Sequence, residues 1–166
     1  MTTGDFIQEC RNNGKFTIYE MEQICLGFNN GLSIDQVKVY ANPAFDCWQM
    51  DQIRESFYKN NLTMKQIQVF AKPEFDSIQM NQIRVGFYED NLTMEQIKVY
   101  AKPEFNAKQM SQIRYGFRNN LTMEQVKLYA KPQFNSYQMK QSREFIIENK
   151  DTSINVLKFL IQLKVL

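Results

Sequence analysis

The feature that most constrains this chain is an internal repeat. Four consecutive segments, 32–61, 62–91, 92–120 and 121–149, align along their whole length, so the period is 29 or 30 residues. A degenerate copy precedes them over 1–31, and an apolar segment follows over 150–166. Periods of about 20 to 50 residues are typical of arrays in which one supersecondary unit packs on the next. We therefore expect a single helical-repeat domain over 1–166.

Each repeat contains two signals for the start of a helix. The first helix, helix A, follows Ser or Thr with Gln three residues later, as in Thr63 and Gln66. The second, helix B, follows Asp or Asn with Gln at the same spacing, as in Asp46 and Gln49. In such a capping box the side chain of the first residue accepts a hydrogen bond from the backbone amide three residues later. The Gln side chain at that later position accepts a hydrogen bond from the backbone amide of the first residue. The other pairs are Ser33 and Gln36, Asp76 and Gln79, Thr93 and Gln96, Asn106 and Gln109, Thr122 and Gln125, Asn135 and Gln138, and Thr17 and Glu20.

A proline lies between the two helix starts of every repeat. The residue before a proline is disfavoured in helical geometry, so helix A should end near the preceding alanine. These alanines are Ala41, Ala71, Ala101 and Ala130. Since the chain has only six glycines and four prolines in 166 residues, few positions interrupt helices. The sequence predicts an all-α fold of about eleven helices, with helix A near nine residues and helix B near thirteen.

The apolar residues of helix B form one stripe per repeat. Met50, Ile53 and Phe57 illustrate it, and their spacing places them on the same helix face. Helices this short are marginal in water on their own, so neighbouring repeats must cover each other's stripes. We therefore expect an α-solenoid of short helical hairpins.

Two positions of helix B are predicted to point away from this stripe and vary between repeats. They lie two residues before and five residues after the stripe methionine. Large apolar side chains on an outer face are typical of an interface, and aromatic residues often anchor binding. The candidate partner-binding residues are Tyr19, Leu26, Trp48, Ile78, Val85, Tyr115 and Tyr137. The alternative is that a neighbouring helical layer buries them.

Basic residues also recur at fixed positions of the repeat. Candidate phosphate-binding residues are Arg54, Arg84, Arg114 and Arg143 in helix B and Lys72, Lys102 and Lys131 after helix A. Rows of such cations suit a phosphate backbone. In the alternative interpretation the lysines complement the helix macrodipole, and the arginines cover the apolar stripe or pair with Glu74 or Glu104.

The segment from Ile154 onward is apolar on nearly every side. A helix of this kind requires burial on more than one face, and it is too short for the roughly 20 residues that a bilayer span needs. We expect it to close the array and to pair with its copy in a two-fold homodimer. The candidate dimerisation residues are Leu157, Leu160, Ile161, Leu163 and Val165. The alternative is a helix folded back on its own array.

Residues typical of enzymes and metal sites are missing from the sequence. Histidine is absent, and there is no phosphate-binding glycine loop, zinc-protease motif or nucleophile elbow. Cys10, Cys25 and Cys47 have no metal-ligand spacing and are expected to be reduced thiols. The formal charge is only +2, and no secretory signal opens the chain. We expect a cytoplasmic, non-enzymatic protein without cofactor or metal.

The repeat carries the motif Y-A-x-P-x-F-[DN]-x-x-Q-M-x-Q-I-R-x-G-F. With this motif the chain resembles uncharacterised bacterial and mobile-element proteins that bear tandem short-helix repeats, over roughly residues 16–148. Small phage-borne inhibitors of bacterial defence nucleases, the anti-CRISPR proteins, include compact helical proteins of similar size. This analogy implies a protein-binding module or inhibitor. The alternative function is a helical-repeat nucleic-acid binder that uses the Arg and Lys rows.

Overall fold

The structure, a computed structural model, describes the backbone of residues 1–165 and the side chains of residues 1–163. Within this part of the chain there are eleven helices and no strand. The helices are α1 (Thr3–Asn12), α2 (Ile18–Asn29), α3 (Ile34–Tyr40), α4 (Cys47–Tyr58), α5 (Met64–Ile67), α6 (Ser77–Tyr88), α7 (Met94–Tyr100), α8 (Ala107–Arg118), α9 (Met123–Lys127), α10 (Ser136–Glu148) and α11 (Ile154–Val165). Helix A of the four repeats is α3, α5, α7 and α9, and helix B is α4, α6, α8 and α10. The all-α prediction is confirmed.

Capping boxes start the helices at every pair predicted from the sequence. At α5, the Gln66 amide donates to Thr63 Oγ1 over 3.3 Å and the Thr63 amide donates to Gln66 Oε1 over 2.9 Å. A further box, formed by Thr2 and Asp5, starts α1. Each box satisfies backbone donors that the first turn of a helix leaves unpaired. Purely local chemistry therefore sets where these helices begin.

Helix A is shorter than its predicted nine residues. It spans seven residues in α3 and α7, four in α5 and five in α9. The expected end near alanine is confirmed for α3 and α7, where Ala41 and Ala101 are the C-caps. After α5 the chain continues in tighter turns, with the Val69 and Phe70 amides bonded to carbonyls only three residues earlier. Such turns are common where an α-helix ends before a proline.

Helix B ends in a motif that the sequence reasoning did not use. Gly31, Asn61, Asn91 and Asn120 adopt left-handed backbone angles, with φ between 50° and 80°. The next residue donates its amide to a carbonyl five residues earlier at Leu32 and Leu121, and six residues earlier at Leu62 and Leu92. The five-residue spacing is the Schellman pattern, for which Gly and Asn are the favoured left-handed residues.

The chain divides into two compact units, Met1–Arg84 and Val85–Leu166. In the first unit α4 packs on α2, α3 and α5, and in the second α8 packs on α7, α9 and α10. The stripe residues Met50, Ile53, Met110 and Ile113 are fully buried. The predicted stripe therefore forms the core of each unit, and neighbouring helices cover it.

The tyrosine of helix A meets a glycine of the preceding helix B. Tyr129 is fully buried, and its hydroxyl donates to the Gln112 carbonyl over 3.3 Å. A Cβ atom on Gly116 would lie only 1.9 Å from that hydroxyl oxygen. At the one such position where Phe70 replaces the tyrosine, Ser56 of the preceding repeat replaces the glycine, and Ser56 Oγ donates to the Gln52 carbonyl over 2.7 Å. In both cases a hydroxyl group therefore donates to the equivalent carbonyl of helix B. The hydroxyl belongs to the tyrosine of helix A in one case and to the serine of helix B in the other.

Candidate interaction surfaces

One of the two predicted outward positions is exposed. Tyr19, Trp48 and Ile78 are the second residues of α2, α4 and α6 in the first unit, and Tyr137 is the second residue of α10 in the other. Their exposed fractions are 66%, 70%, 63% and 63%. The three residues of the first unit, Tyr19, Trp48 and Ile78, are termed the exposed row. The prediction that this position points outward is confirmed, whereas partner binding there stays a prediction.

The other predicted outward position is covered. Val85 is only 9% exposed, and Leu26 and Tyr115 are half-buried. Tyr115 lies between two guanidinium groups, with Arg114 5.0 Å and Arg143 5.8 Å from its ring centre. The expectation that these three side chains face solvent is therefore wrong for Val85 and holds only in part for Leu26 and Tyr115, and at Tyr115 the arginine of the following repeat lies over the ring.

The arginine row is tied into the protein. Arg54 is 7% exposed and donates from Nε to Gln23 over 3.0 Å and from Nη1 to Asn30 over 2.8 Å. It also pairs with Asp51. Arg54, Arg84 and Arg114 each donate to the residue 24 positions earlier, which lies in the preceding repeat. Sequence reasoning missed this partner, although Asn or Asp recurs at that position, directly before the left-handed residue at the end of helix B.

The next two arginines repeat this arrangement within their own units. Arg84 Nη1 lies 3.1 Å from Asn60 and 3.1 Å from Glu55, and Arg114 Nη1 lies 2.6 Å from Asp90. Arg143 is half-buried and 3.5 Å from Glu144. A buried guanidinium with protein acceptors is a costly source of phosphate contacts, since each bond must first be broken. The recurrence of arginine therefore has a structural explanation.

Glu55 shows the electrostatic effect of these contacts. Partial burial raises the pKa of its carboxyl group, but hydrogen bonds and charges from Lys59 and Arg84 outweigh burial and bring the pKa below its usual range. Glu55 therefore stays ionised where the arginine of the next repeat needs an anionic acceptor.

The lysines are more accessible than the arginines. Lys72 and Lys102 are exposed, while Lys131 is half-buried with Nζ 5.4 Å from the centre of the Phe134 ring. In the second unit, Lys98, Lys102 and Lys127 line a groove of about 490 Å³ with Glu95, Val99, Met123 and Ala130. Among the described residues, Lys98, Lys102 and Lys127 form no ion pair. Lys98 and Lys127 were not among the predicted phosphate contacts, although the repeated E-Q-[IV]-K sequence shows them.

The predicted dimerisation residues separate onto two faces of α11. Leu157 and Ile161 are 0% and 3% exposed, so their selection as intermolecular contacts is wrong: they pack inside their own unit. Leu160 is half-buried, Leu163 is 63% exposed, and the side chain of Val165 lies outside the described residues. Val156 and Phe159, which the sequence reasoning omitted, are also exposed. The helix therefore buries one side and leaves an apolar side open.

A groove borders this open side of α11. Its volume is about 590 Å³. The lining residues are Lys131, Gln133, Phe134, Gln138, Phe159, Gln162 and Leu163. We call it the terminal groove. It combines two aromatic rings and a leucine with amide side chains, a composition common in ligand-binding pockets.

The described residues contain no group of three or more His, Cys, Asp or Glu side chains that could hold a metal ion. All three cysteines are free thiols. In the part of the chain that the structure describes, every helix is too short or too polar to span a membrane. Comparison of the chain with protein-family models, with curated proteins and with solved structures finds no match.

Proposed function

We propose that this protein is a non-enzymatic interaction module, an α-solenoid of short helical hairpins whose exposed row binds a protein partner. The observation that carries the proposal is the exposure of Trp48, at 70% the most accessible aromatic side chain of that row. Exposed aromatic and large apolar side chains at matching helix positions are typical of binding surfaces.

The role of the neighbouring positions supports this proposal. The stripe residues are buried, the capping residues are bonded to their own helices, and the arginines are bonded to the preceding repeat. These contacts explain why those residue types recur. Among the described residues, no comparable contact explains an exposed tryptophan at the second residue of α4, where neighbouring repeats have other side chains. Binding of a partner accounts for both its exposure and its variation.

By the analogy with small phage-borne inhibitors, the partner would be a bacterial defence nuclease, and binding would inhibit it, as an anti-CRISPR protein does. This setting would be cytoplasmic. The identity of the partner decides whether the protein acts as an inhibitor or as a scaffold.

The test uses Trp48 as its own probe, because it is the only tryptophan of the chain. Proteins captured from the source cells with the full chain would each be purified and titrated against it, with Trp48 emission as the readout. We expect a blue shift on binding, and Trp48→Ala should weaken binding by about 1 kcal/mol or more. Tyr58→Ala, at an exposed aromatic residue outside the row, is the matched control. Unchanged emission together with unchanged affinity of Trp48→Ala would reject the exposed row as the binding site.

Self-association through α11 is part of this proposal, with Leu160 and Leu163 as the remaining contacts. The exposed residues Val156, Phe159 and Leu163 are spaced by three and four positions, which suits a helix–helix seam. We expect the sedimentation coefficient to rise with protein concentration and Leu163→Lys to abolish the rise. A monomer mass at every concentration would contradict the homodimer.

Nucleic-acid binding is the second candidate, and the lysine groove of the second unit favours it. Three lysines that form no ion pair within the described part of the chain line this groove together with one glutamate, so the groove carries a local positive charge. The expected result is affinity for single-stranded RNA that falls steeply with salt and is lost in Lys98→Glu, with Lys150→Glu as a control outside the groove. A flat salt titration would dismiss this candidate.

A further inference from the structure

Two helix starts beside the exposed row carry a carboxylate. Asp46 and Asp76 cap α4 and α6 two positions before Trp48 and Ile78, and both aspartates are exposed. One carboxylate oxygen of each accepts the amide three residues later, over 2.8 Å and 2.7 Å. Among the described residues, neither aspartate forms an ion pair. Each therefore presents a negative charge to solvent at the same helix start as a large apolar side chain.

Helix capping alone does not require this charge. Asparagine caps a helix as well as aspartate does, and Asn106 and Asn135 form the same capping boxes at α8 and α10 of the second unit. A carboxylate carries a full negative charge, whereas the helix N-terminus carries about half a positive charge. A start capped by Asp is therefore net negative, and a start capped by Asn is net positive. In α8 the residue two positions after the cap is Lys108 rather than an apolar residue.

The two units differ in charge in the same direction. The first unit contains eight Lys and Arg against ten Asp and Glu, whereas the second contains twelve against eight. Two further acids lie three residues after a member of the exposed row and so on the same side of the helix. Of these, Asp51 pairs with Arg54, and Glu22 lines a groove of about 500 Å³ together with Arg11. The uncompensated charge of the exposed row therefore lies at the two aspartate caps.

We propose that the exposed row binds an arginine-rich surface of its protein partner. One guanidinium of the partner stacks on the Trp48 ring and pairs with Asp46, and a second pairs with Asp76. A guanidinium suits this site because it is planar, stacks on aromatic faces and bonds carboxylates. The aliphatic part of an arginine side chain can cover Ile78. This inference rests on the proposed function, since it names the chemistry of the partner that the same surface binds.

The probe is a short synthetic peptide of leucine and arginine, compared with a counterpart in which every arginine is glutamate. Calorimetry measures the affinity of each peptide for the full chain, and Trp48 emission shows whether binding reaches the row. We expect saturable binding of the arginine peptide with a change in Trp48 emission, and no binding of the glutamate peptide. The affinity should fall as the salt concentration rises, because the charges are exposed.

The decisive variant is the double substitution Asp46→Asn with Asp76→Asn. It should keep both helix caps, as Asn106 does at α8, and circular dichroism should show an intact fold. We expect it to bind the arginine peptide about fivefold or more weakly, because each exposed ion pair contributes a modest part of the binding energy. Trp48→Ala should also weaken binding, through loss of the stacked ring.

The matched control is Asp35→Asn with Glu124→Gln, which removes two exposed charges from the first turns of α3 and α9. It should bind as the wild type does. Equal affinity for the two peptides, wild-type affinity of the doubly substituted caps, or an equal loss in the control would each overturn the proposal.

Failure of this inference can be distinguished from failure of the proposed function. A purified partner whose affinity falls in Trp48→Ala but not in Asp46→Asn with Asp76→Asn would leave the exposed row as a protein-binding site and would overturn only its arginine-rich partner. A partner insensitive to all of these substitutions would reject the row itself.

Discussion

The contact between Gly116 and Tyr129 provides a sharp test of how the repeats pack. Gly116→Ser would place a Cβ atom 1.9 Å from the tyrosine hydroxyl oxygen and 3.2 Å from both Cζ of the same ring and Cγ2 of Val126. Ordinary contacts are much longer than the first of these distances. Since Tyr129 is fully buried, its ring cannot move aside without disturbing the core.

The expected cost follows from three contributions. Overpacking of a dense core costs about 1 to 3 kcal/mol, and the severe overlap places this case at the upper end. Displacing the hydroxyl from the Gln112 carbonyl costs about 1 kcal/mol more, although the new serine can restore part of it. Replacing glycine within a helix regains about 0.5 kcal/mol. We expect Gly116→Ser to reduce the free energy of unfolding by about 3 kcal/mol, and the melting temperature by about 6 to 12 °C.

The pair formed by Ser56 and Phe70, in successive repeats, indicates the rescue. Tyr129→Phe in the Gly116→Ser background removes the clashing hydroxyl, and the serine can then donate to the Gln112 carbonyl as Ser56 does to Gln52. We expect the double variant to lie within about 1 kcal/mol of the wild type, although Tyr129→Phe alone costs about 1 kcal/mol. The double-mutant cycle should therefore give a coupling energy of about 2 kcal/mol or more.

Urea denaturation followed by far-ultraviolet circular dichroism measures each corner of the cycle, with the slope m as a check on the unfolded state. Gly4→Ser is the control, since a Cβ atom there meets nothing closer than 3.8 Å, and it should not destabilise the protein. Wild-type stability of Gly116→Ser, or a double variant as unstable as the sum of the single variants, would refute the packing argument.

Three further predictions concern buried polar groups. Gln109→Glu keeps the helix cap but removes the side-chain donor to two carbonyls of the next repeat. It should lower the free energy of unfolding, measured in urea titrations, by about 2 kcal/mol or more. Gln96→Glu, at a residue that only caps its helix, should be neutral, and equal effects of the two variants would contradict a link between repeats through Gln109. Asp90→Ala leaves the guanidinium of Arg114 buried without its anion, since the two side chains are 3% and 7% exposed. It should lower the free energy of unfolding by about 3 kcal/mol or more, measured by calorimetry. A loss below about 1 kcal/mol would argue that this ion pair does not hold the two repeats together. Burial raises the pKa of Tyr40, Tyr100 and Tyr129, so the unfolded chain loses these protons first and stability should fall as the pH rises above about 10. The part of the tyrosine absorbance change that comes from these three residues should then coincide with loss of helix. Full ionisation of all tyrosines in a still-helical protein would be the contrary result.

The positions of the helix starts could be read from the sequence because their cause is local. A capping box involves residues three positions apart, so Asp46 and Gln49 identify the start of α4 without knowledge of any other repeat. The buried stripe was predictable for a similar reason, since helical periodicity alone places Met50 and Ile53 together. The same periodicity identified Trp48 as exposed, because a position opposite the stripe at the start of helix B is covered by no other element.

Residues whose environment depends on another repeat could not be assigned in this way. Tyr115 lies on the outward side of its helix by periodicity, yet Arg143 of the following repeat lies over its ring. The arginines themselves suggest a phosphate site in the sequence, whereas in the structure Arg54 hydrogen-bonds Asn30 24 positions earlier. On α11, apolar residues on nearly every side did not reveal that Leu157 faces inward and Leu163 outward. Local hydrogen bonding and periodicity thus settle which residues form each helix. Which faces are buried, and which remain available for a partner, depends on contacts between residues distant in the chain, and those exist only once the helices have packed.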